Sequence, residues 1–324
     1  MSFIALLLAL LLEQARPRSA SAGIDKLFIQ WADWLRHTLD AGDKRHAWIA
    51  WGLAVVLACA LTVLVHWLLW WFGGWFLAML WSLVVLYATL GFRRFSHHFS
   101  GIRDALSTGD DDLARELLRQ WQGDLEPNMP RSEIVRHVIE HSSISAHRHV
   151  FGVIAWFSVL AAMGLGPAGA VFFRLSALLS TDWAASSDSS QLDAAHSSPA
   201  LQEVTALAWR QVDWVPARMT GLSFAVVGNF EDAVDAWRQD AQHFPNANDG
   251  VVLAATAGAI NVRLGGVGLR PASNEALSDD PLVQPTAGRE PEVAHLRSMV
   301  GLVWRAVVMW MVLLALLTLA RLLG

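Results

Sequence analysis

A single cysteine, Cys59, occurs in the 324 residues of the chain. One thiol excludes an intramolecular disulfide and every metal site that is built from clustered cysteines. Because Cys59 lies in the middle of an apolar run, we expect a buried and inert thiol rather than a reactive one.

Charged residues are scarce, at 16% of the chain against 54% hydrophobic residues. A typical soluble domain carries about 25% charged residues, so the composition excludes an ordinary soluble fold. The formal net charge of -5 gives no electrostatic basis for binding nucleic acid. The chain has 17 tryptophans and one tyrosine, and tryptophan is enriched at membrane interfaces. The composition therefore predicts an integral membrane protein whose partner is the lipid bilayer and that binds no nucleic acid.

Common nucleotide and nucleophile motifs are missing as well. The sequence has no G-x-G-x-x-G, P-loop, nucleophile elbow or H-E-x-x-H pattern. The glycine-rich segment 265–268 precedes a proline-bearing stretch instead of a helix, so it predicts a flexible helix exit and not a phosphate cradle.

Two histidines have the spacing of a helical metal site. His137 and His141 are four residues apart, with Glu133 and Glu140 beside them. Arg136 lies among these residues, and its positive charge opposes the binding of a metal cation. The sequence therefore predicts no metal site here.

The longest apolar stretch, Trp48–Phe92, consists of two runs that meet at Gly73 and Gly74. His66 is the only strongly polar residue between Trp48 and Tyr87. A bilayer core requires about 20 apolar residues in helical form, and each run supplies close to that number. Since backbone hydrogen bonds must be satisfied internally in lipid, we predict a transmembrane helical hairpin.

Basic residues flank both ends of this hairpin. Lys44 and Arg45 precede it, and Arg93 and Arg94 follow it. The positive-inside rule places both ends in the cytoplasm. Several tryptophans crowd the turn, where an interfacial aromatic belt is expected on the far side: Trp67, Trp70, Trp71 and Trp75.

The N-terminal apolar run, 3–12, is short for a full span. Ala20-Ser21-Ala22 resembles a signal-peptide cleavage site, but no basic residue precedes the run, whereas Arg16 and Arg18 follow it. A short N-terminal membrane helix is favoured over a cleaved signal peptide. The stripe of apolar residues in 24–39 predicts an amphipathic helix along the inner membrane surface.

The remaining chain alternates between polar and apolar stretches. Residues 150–179 are apolar but interrupted by Gly164-Leu165-Gly166-Pro167, which indicates either one kinked span or a re-entrant pair of half-helices.

Taken together, these stretches predict an all-α polytopic membrane protein with a small cytoplasmic helical region. The predicted regions are 1–92, membrane helix, interfacial helix and hairpin; 93–149, cytoplasmic helices; 150–266, kinked segment, polar loop and short helices; 267–300, linker; and 301–324, C-terminal transmembrane helix.

Two stretches are candidates for a binding site. Residues 213–218 place an acid, an aromatic residue and a base where a polar loop re-enters apolar sequence. Residues 244–250 form a predicted turn before a helix of small residues, which allow membrane helices to approach closely. Asp213 and Arg218 either line a polar pocket or anchor helix ends at the interface.

These stretches resemble the CobD/CbiB family of membrane proteins and its relative AmpE. Residues 245–248 and 255–266 look like the CobD/CbiB ending, which runs S-P-N-A/S-G, a small-residue helix and a glycine pair. Residues 214–218 are similar to the W-[IV]-P-[AV]-R of both groups. Asp213 and residues 227–237 lean toward AmpE. The resemblance covers nearly the whole chain.

The two branches imply different functions. CobD/CbiB proteins are adenosylcobinamide-phosphate synthases, which join an aminopropanol or its phosphate to a corrinoid carboxylate with ATP. AmpE proteins are non-catalytic inner-membrane signalling proteins linked to β-lactamase induction. The enzyme branch carries E-S-x-A-E-N-x-x-D-G-V, where this chain has His147, Arg148 and Phe151 in the places of Glu, Asn and Asp.

A second segment of the enzyme branch, R-A-x-N-T-L-D, is also altered. Arg174 remains, while Ala177 and Ser180 replace Asn and Asp. ATP and magnesium would be cofactors of an active ligase, and holding them requires carboxylates. The substitutions predict that amide ligation is lost, and no catalytic residue is assigned.

The resemblance thus predicts a multi-pass protein of the bacterial inner membrane with two open functions. It is either a cobalamin-biosynthesis protein that binds a corrinoid or an AmpE-like sensor that binds a cell-wall-related ligand or protein. In both cases the predicted ligand-binding residues are Arg174, Asp213, Trp214, Arg218, Pro245, Asn246 and Asn248.

The first prediction concerns topology. Cysteines introduced at Ser96 and Gly73 in a Cys59→Ala background should differ in their reaction with a membrane-impermeant thiol reagent. In intact cells we expect labelling at position 73, at the turn, and none at position 96, beside the basic pair. Labelling at position 96 without labelling at position 73 would reverse the proposed orientation.

Overall fold

The computed structural model describes residues 2–15, 21–123, 129–185, 197–266 and 285–323, and these residues are helical apart from short connections. In the described ranges there is no strand, only an isolated bridge between Val262 and Arg289. The all-α prediction is confirmed. The helices are α1 Ser2–Ala15, α2 Ser21–Leu39, α3 Lys44–Thr89, α4 Phe92–Thr108, α5 Asp111–Gln122, α6 Arg131–Ala146, α7 Gly152–Ala162, α8 Ala168–Ala185, α9 Pro199–Val212, α10 Trp214–Val227, α11 Phe230–Asp240, α12 Ala247–Ile260 and α13 Val293–Leu323.

The helices belong to two compact units, each assembled from separate stretches of chain. Unit 1 contains Met1–Gly91 and Arg148–Pro216. Unit 2 contains Phe92–His147 and Ala217–Gly324. A π-helical segment, His147–Phe151, follows α6.

Three described helical stretches are long and apolar enough to cross a membrane: Lys44–Thr89, Arg131–Ala162 and Val293–Ala320. The first and third coincide with predicted spans. The second begins in the stretch that the sequence assigns to the cytoplasm, because α6 mixes apolar residues with charged ones that turn out to be buried. The side chains of Arg93 and Arg94, and residues 16–20, lie outside the described residues.

In unit 1, helix α3 is a hairpin. Gly74 has φ 63° and ψ -158°, which interrupts the helix and suits a residue without a Cβ. The indole Nε1 of Trp81 donates to the carbonyl oxygen of Thr62 at 3.2 Å, across 19 residues. In a continuous helix these residues would be about 28 Å apart, at 1.5 Å per residue. The two arms therefore run back along each other.

Helices α7 and α8 form a second helical pair in unit 1. Gly164 and Gly166 have φ 81° and 59° in the turn that joins them. A Cβ on Gly169 would lie well inside 3.0 Å of the Trp156 carbonyl oxygen, and a Cβ on Gly152 would meet the Phe173 ring. Contacts 152–173 and 156–169 show an antiparallel arrangement, so this apolar segment is a folded-back pair and not one kinked span.

Helix α8 runs antiparallel to the first arm of α3. The Sγ of Cys59 lies 3.7 Å from the Ala168 carbonyl oxygen, and the thiol is half-buried rather than fully buried as predicted. Further along, α3 and α8 contribute to a core with α2 and α9 that includes Ala54, Leu175 and Trp183. This core fixes the N-terminal amphipathic helix against the apolar helices of the unit.

The connection from α2 to α3 is tied to the start of α9. Ser198 caps α9 through its side chain, and its N–H donates to the Asp40 carboxylate at 2.8 Å. Burial raises the pKa of Asp40, but hydrogen bonds from Ser198 and Gly42 and the positive charge of Arg36 outweigh it and leave the pKa lowered. Lys44 also pairs with Glu203 at 2.7 Å. The predicted polar loop before α9 falls largely on 186–196, outside the described residues.

Unit 2 is built around α12, a helix of small residues whose 248 and 250–259 positions are buried. A Cβ on Gly258 would meet the carbonyl oxygen of Asp232 well inside 3.0 Å, so α11 and α12 approach closely. Helix α13 begins at Val293, earlier than the predicted start at residue 301, because its first half packs into the unit. Leu302 is fully buried there, whereas Leu317 is 58% exposed.

Candidate functional site

In unit 2, the predicted Pro-Asn-Ala-Asn turn is the start of α12. Asn246 is the N-cap residue: its Oδ1 accepts from the Asn248 N–H at 3.0 Å, and its carbonyl oxygen accepts from the Gly250 N–H at 2.7 Å. A capping asparagine satisfies amide donors that have no partner within the helix. Pro245 precedes it and is exposed. The Pro-Asn-Ala-Asn residues therefore form the N-cap and the first turn of α12, and are not a separate turn before the helix.

The same helix start positions one side chain toward α10. Asn248 is 2% exposed, and its Oδ1 accepts a hydrogen bond from Nη1 of the half-buried Arg218 at 3.2 Å. Arg218 ends the Trp-Val-Pro-Ala-Arg stretch, and Asn248 ends the Pro-Asn-Ala-Asn stretch. The structure therefore joins two of the predicted stretches, 30 residues apart, through one direct contact.

In unit 1, Arg174 and Asp213 lie on α8 and at the C-terminal end of α9. Arg174 is 8% exposed and Asp213 is fully buried, so both are interior charged residues. Trp214 is 50% exposed and faces outward. Interior charges at this degree of burial are costly unless they are paired, which fits a functional or tightly structural role.

Aromatic side chains hold these two helix segments together. The Nε1 of Trp156 on α7 donates to the Val212 carbonyl oxygen at 3.0 Å, next to Asp213. The ring of Phe173, next to Arg174, lies 5.3 Å from the ring of Trp209. Arg174 and Asp213 are therefore presented by elements that are fixed against each other. Arg174, Asp213 and Trp214 belong to unit 1, while Arg218, Pro245, Asn246 and Asn248 belong to unit 2.

Sequence reasoning missed a buried ionic cluster on α6. Arg136 and Glu140 are 6% and 4% exposed. Glu140 Oε1 accepts from the Gly265 N–H at 2.7 Å, and Arg136 Nη1 donates to the carbonyl oxygen of the same glycine. Arg136 also pairs with Glu133 and lies 3.9 Å from Glu140. Glu140 and Arg136 therefore bind both backbone polar groups of Gly265, its N–H and its carbonyl oxygen.

The i, i+4 spacing of Arg136 and Glu140 was the available signal for this cluster. From the sequence alone Arg136 is only an obstacle to metal binding, because the contact of α6 with Gly265 exists only in the tertiary structure. The two neighbouring histidines have different surroundings. His137 is buried at 6% exposure, while the ring centre of His141 lies 4.3 Å from that of Trp121 in an edge-on contact. Within the described residues, no three His, Cys, Asp or Glu side chains are grouped as a metal site requires.

His147, Arg148 and Phe151, at the positions where the resemblance implies carboxylates or amides, have packing roles in the structure. His147 is fully buried and its Nδ1 lies 2.8 Å from the Thr220 hydroxyl oxygen. Phe151 is fully buried as well. The Arg148 guanidinium lies 5.8 Å above the centre of the Trp209 ring. A buried imidazole, a phenyl ring and a guanidinium provide no oxygen ligand for magnesium, so these positions do not fit a magnesium–ATP site.

The family profile described as CobD/Cbib protein matches residues 3–190 and 203–320. Among similar proteins, a "Cobalamin biosynthesis protein CobD" of Stutzerimonas stutzeri is 29% identical over 84% of this chain and 82% of its own length. The protein of the same description from Chromobacterium violaceum is 29% identical over 56% of this chain and 54% of its own length. The one from Mycobacterium tuberculosis is 40% identical over 28% of this chain and 30% of its own length. No solved structure is significantly similar to the chain.

The second prediction tests the α6 cluster. Glu140→Ala removes the acceptor of the Gly265 N–H and one counter-charge of Arg136. Breaking a buried ion pair costs about 3–5 kcal/mol, and we expect a loss of about 3 kcal/mol because Glu133 still faces Arg136. Denaturant unfolding of the detergent-solubilised protein measures the loss. Glu290→Ala, at an exposed glutamate, is the matched control; equal stabilities of the two variants would show that the cluster contributes nothing.

Proposed function

Because the chain belongs to the CobD/CbiB protein family, we propose that it acts in cobalamin biosynthesis as a multi-pass protein of the bacterial inner membrane. Its role there is to bind a corrinoid acid without joining it to an aminopropanol. The observation that carries this proposal is the hydrogen bond between Arg218 and Asn248. This hydrogen bond connects residues 214–218 with residues 245–248, two stretches by which the chain resembles its family.

The chemistry of Arg218 suits such a ligand. A corrinoid acid carries a carboxylate, and a guanidinium binds carboxylates through charge-assisted hydrogen bonds that are stronger than neutral ones. Arg218 is half-buried, and Asn248 orients it from the fixed first turn of α12. The cap by Asn246 holds that turn, so Asn246 acts on the ligand through Asn248 and Arg218.

The loss of ligation follows from the residues at the altered positions. The family resemblance implies carboxylates or amides where His147, Arg148 and Phe151 stand. The Nδ1 of His147 forms a hydrogen bond with the Thr220 hydroxyl group, and Phe151 has no polar atom in its side chain. A guanidinium in place of a carboxylate or amide repels magnesium instead of holding it. No step through ATP or magnesium is therefore assigned to this chain.

The packing of His147, Arg148 and Phe151 also favours a second candidate function. A family member whose altered positions pack as structure, and whose Asp213 and residues 227–237 resemble AmpE, fits a non-catalytic membrane sensor of cell-wall stress linked to β-lactamase induction. Such a protein would bind a cell-wall-related ligand or protein. Binding of a corrinoid acid separates the two functions directly.

The third prediction is a binding measurement. Purified wild-type protein in detergent should bind cobyric acid in equilibrium dialysis, monitored by corrinoid absorbance. Arg218→Ala should weaken this binding roughly tenfold or more, since hydrogen bonds to charged groups contribute about 1.5–3 kcal/mol. Arg238→Ala, at an exposed arginine of α11, is the matched control.

Two results would contradict the corrinoid-binding proposal. If the wild-type protein does not bind cobyric acid, the sensor function is favoured. If Arg218→Ala binds cobyric acid as tightly as the wild type but gives less folded protein, Arg218 is a helix anchor and not a ligand-binding residue.

The fourth prediction concerns catalysis. A strain that lacks its own synthase, and must make cobamide from cobyric acid, should not grow when it expresses this chain. The strain's own synthase, restored on the same vector, is the positive control, and immunoblotting of membranes confirms expression. Growth that depends on Arg174 and Asn246 would refute the loss of ligation and assign the enzyme activity.

A further inference from the structure

The outer face of α13 changes from polar to apolar at Arg305. Arg297 is exposed before it, and Val308, Val312 and Leu316 are exposed after it. Successive residues of this series are eight, three, four and four positions apart, so they lie on one side of the helix. Because α13 supplies a candidate membrane span, the change marks the level at which the helix enters the lipid core.

The side chain of Arg305 extends away from the apolar half of α13. Its Nε donates to the carbonyl oxygen of Gly301 at 3.1 Å, one turn closer to the start of the helix. The uncharged stretch 306–320, between Arg305 and Arg321, is about 22 Å long at 1.5 Å per residue, whereas a bilayer core is about 30 Å thick. A cation at the edge of so short a stretch must extend outward to reach the lipid headgroups. The exposed Trp304 beside it fits the same level, where tryptophan is enriched.

A gap in the row of side chains lies at this level. Arg297, Gly301 and Arg305 are spaced four residues apart, so they are neighbours on the helix surface. A Cβ added to Gly301 would meet no other side chain within 4 Å, which means that the glycine borders open space. The two arginines therefore flank a notch in which a ligand can approach the backbone.

The positive charges beside this notch are not neutralised within the described residues. Neither Arg297 nor Arg305 forms an ion pair there, and the sequence of α13 contains no aspartate or glutamate. A guanidinium has five N–H donors, and in the described part of the chain only the Nε–H of Arg305 has an acceptor. The terminal N–H groups of Arg305 are therefore available to an anion.

We infer that the notch formed by Arg297, Gly301 and Arg305 binds the phosphate of an anionic phospholipid from the surrounding bilayer. The phosphate lies over Gly301 and accepts from both guanidinium groups, since arginine binds phosphate through several N–H donors at once. The acyl chain lies along Val308 and Val312 on the same face. This site does not depend on the proposed function, since it requires no corrinoid and shares no residue with the carboxylate-binding site.

The charge of the headgroup provides the selectivity. Phosphatidylglycerol is anionic, whereas the ammonium group of phosphatidylethanolamine cancels the charge of its phosphate and is repelled by the two arginines. Each arginine near an anionic lipid surface strengthens binding about fivefold. The acyl chains do not discriminate, because both lipids offer the same hydrocarbon to the helix. Phosphatidylglycerol should therefore be enriched over phosphatidylethanolamine beside α13.

The fifth prediction tests this enrichment. A cysteine replaces Val312 in a Cys59→Ala background and carries a bimane fluorophore. The full chain is reconstituted in vesicles of equal parts phosphatidylglycerol and phosphatidylethanolamine, in which only one of the two lipids has brominated acyl chains that quench the fluorophore on contact. We expect phosphatidylglycerol to associate about fivefold more tightly than phosphatidylethanolamine. Arg305→Gln should bring the two lipids toward equality, whereas Arg238→Gln, at an exposed arginine of α11, should leave the preference unchanged.

Gly301→Leu tests the notch without altering the charge. Position 301 is helical and open, and leucine favours a helix more than glycine does, so this variant should fold. Its side chain covers the backbone between the two arginines and should reduce the preference about as much as Arg305→Gln does. A fluorophore at the exposed Leu61 of α3 reports on the bulk bilayer and should show no preference.

Four results would overturn the proposed site. They are equal quenching by the two lipids at position 312 of the parent protein, stronger quenching by phosphatidylethanolamine there, an undiminished preference in either Arg305→Gln or Gly301→Leu, and the same preference at position 61 as at position 312. The last result would show that the preference belongs to the bilayer as a whole and not to α13.

Discussion

The carbonyl oxygen of Trp156 on α7 comes so close to Gly169 on α8 that position 169 has no room for a Cβ atom. The same contact recurs in unit 2, where Gly258 meets the carbonyl oxygen of Asp232. In a membrane, helices gain little hydrophobic free energy by associating, so dense van der Waals packing must hold them together. Small residues at helix crossings supply that packing. Both units depend on this constraint, and α12, with its run of alanines and glycines, is the helix in which it is strongest.

Close packing also decides where polar groups can be buried. The Gly265 peptide lies against α6 with its N–H on Glu140 and its carbonyl oxygen on Arg136. A buried ion pair alone often gives no net stability, because desolvation offsets the attraction between the charges. Here the pair also satisfies a buried peptide group, which would otherwise cost about 1–3 kcal/mol for each unmet hydrogen bond. The cluster thereby fixes the chain where it leaves α12.

The proposed function depends on two different polar contacts. Arg218 and Asn248 form an oriented polar pair that can receive a carboxylate without further chemistry. His147, in contrast, is fully buried against Thr220. Under the proposed function the chain keeps its family's fold and a carboxylate-binding arginine, while the side chains of His147, Arg148 and Phe151 offer no oxygen ligand to magnesium.

The amino-acid sequence by itself determined the helical class, the hairpin turn at Gly73 and Gly74 and the family, because these depend on local composition and on motifs that are contiguous in the chain. It also predicts a turn at residues 244–250 before a helix of small residues, whereas the cap that Asn246 forms there is seen only in the structure. Only the tertiary structure decided that α7 and α8 fold back on each other, because a Gly-Pro break suits a kink and a turn equally. The partner of Glu140 was likewise decided by the tertiary structure, since Gly265 is 125 residues away in sequence and the free energy of burying a charge depends on what folding brings beside it.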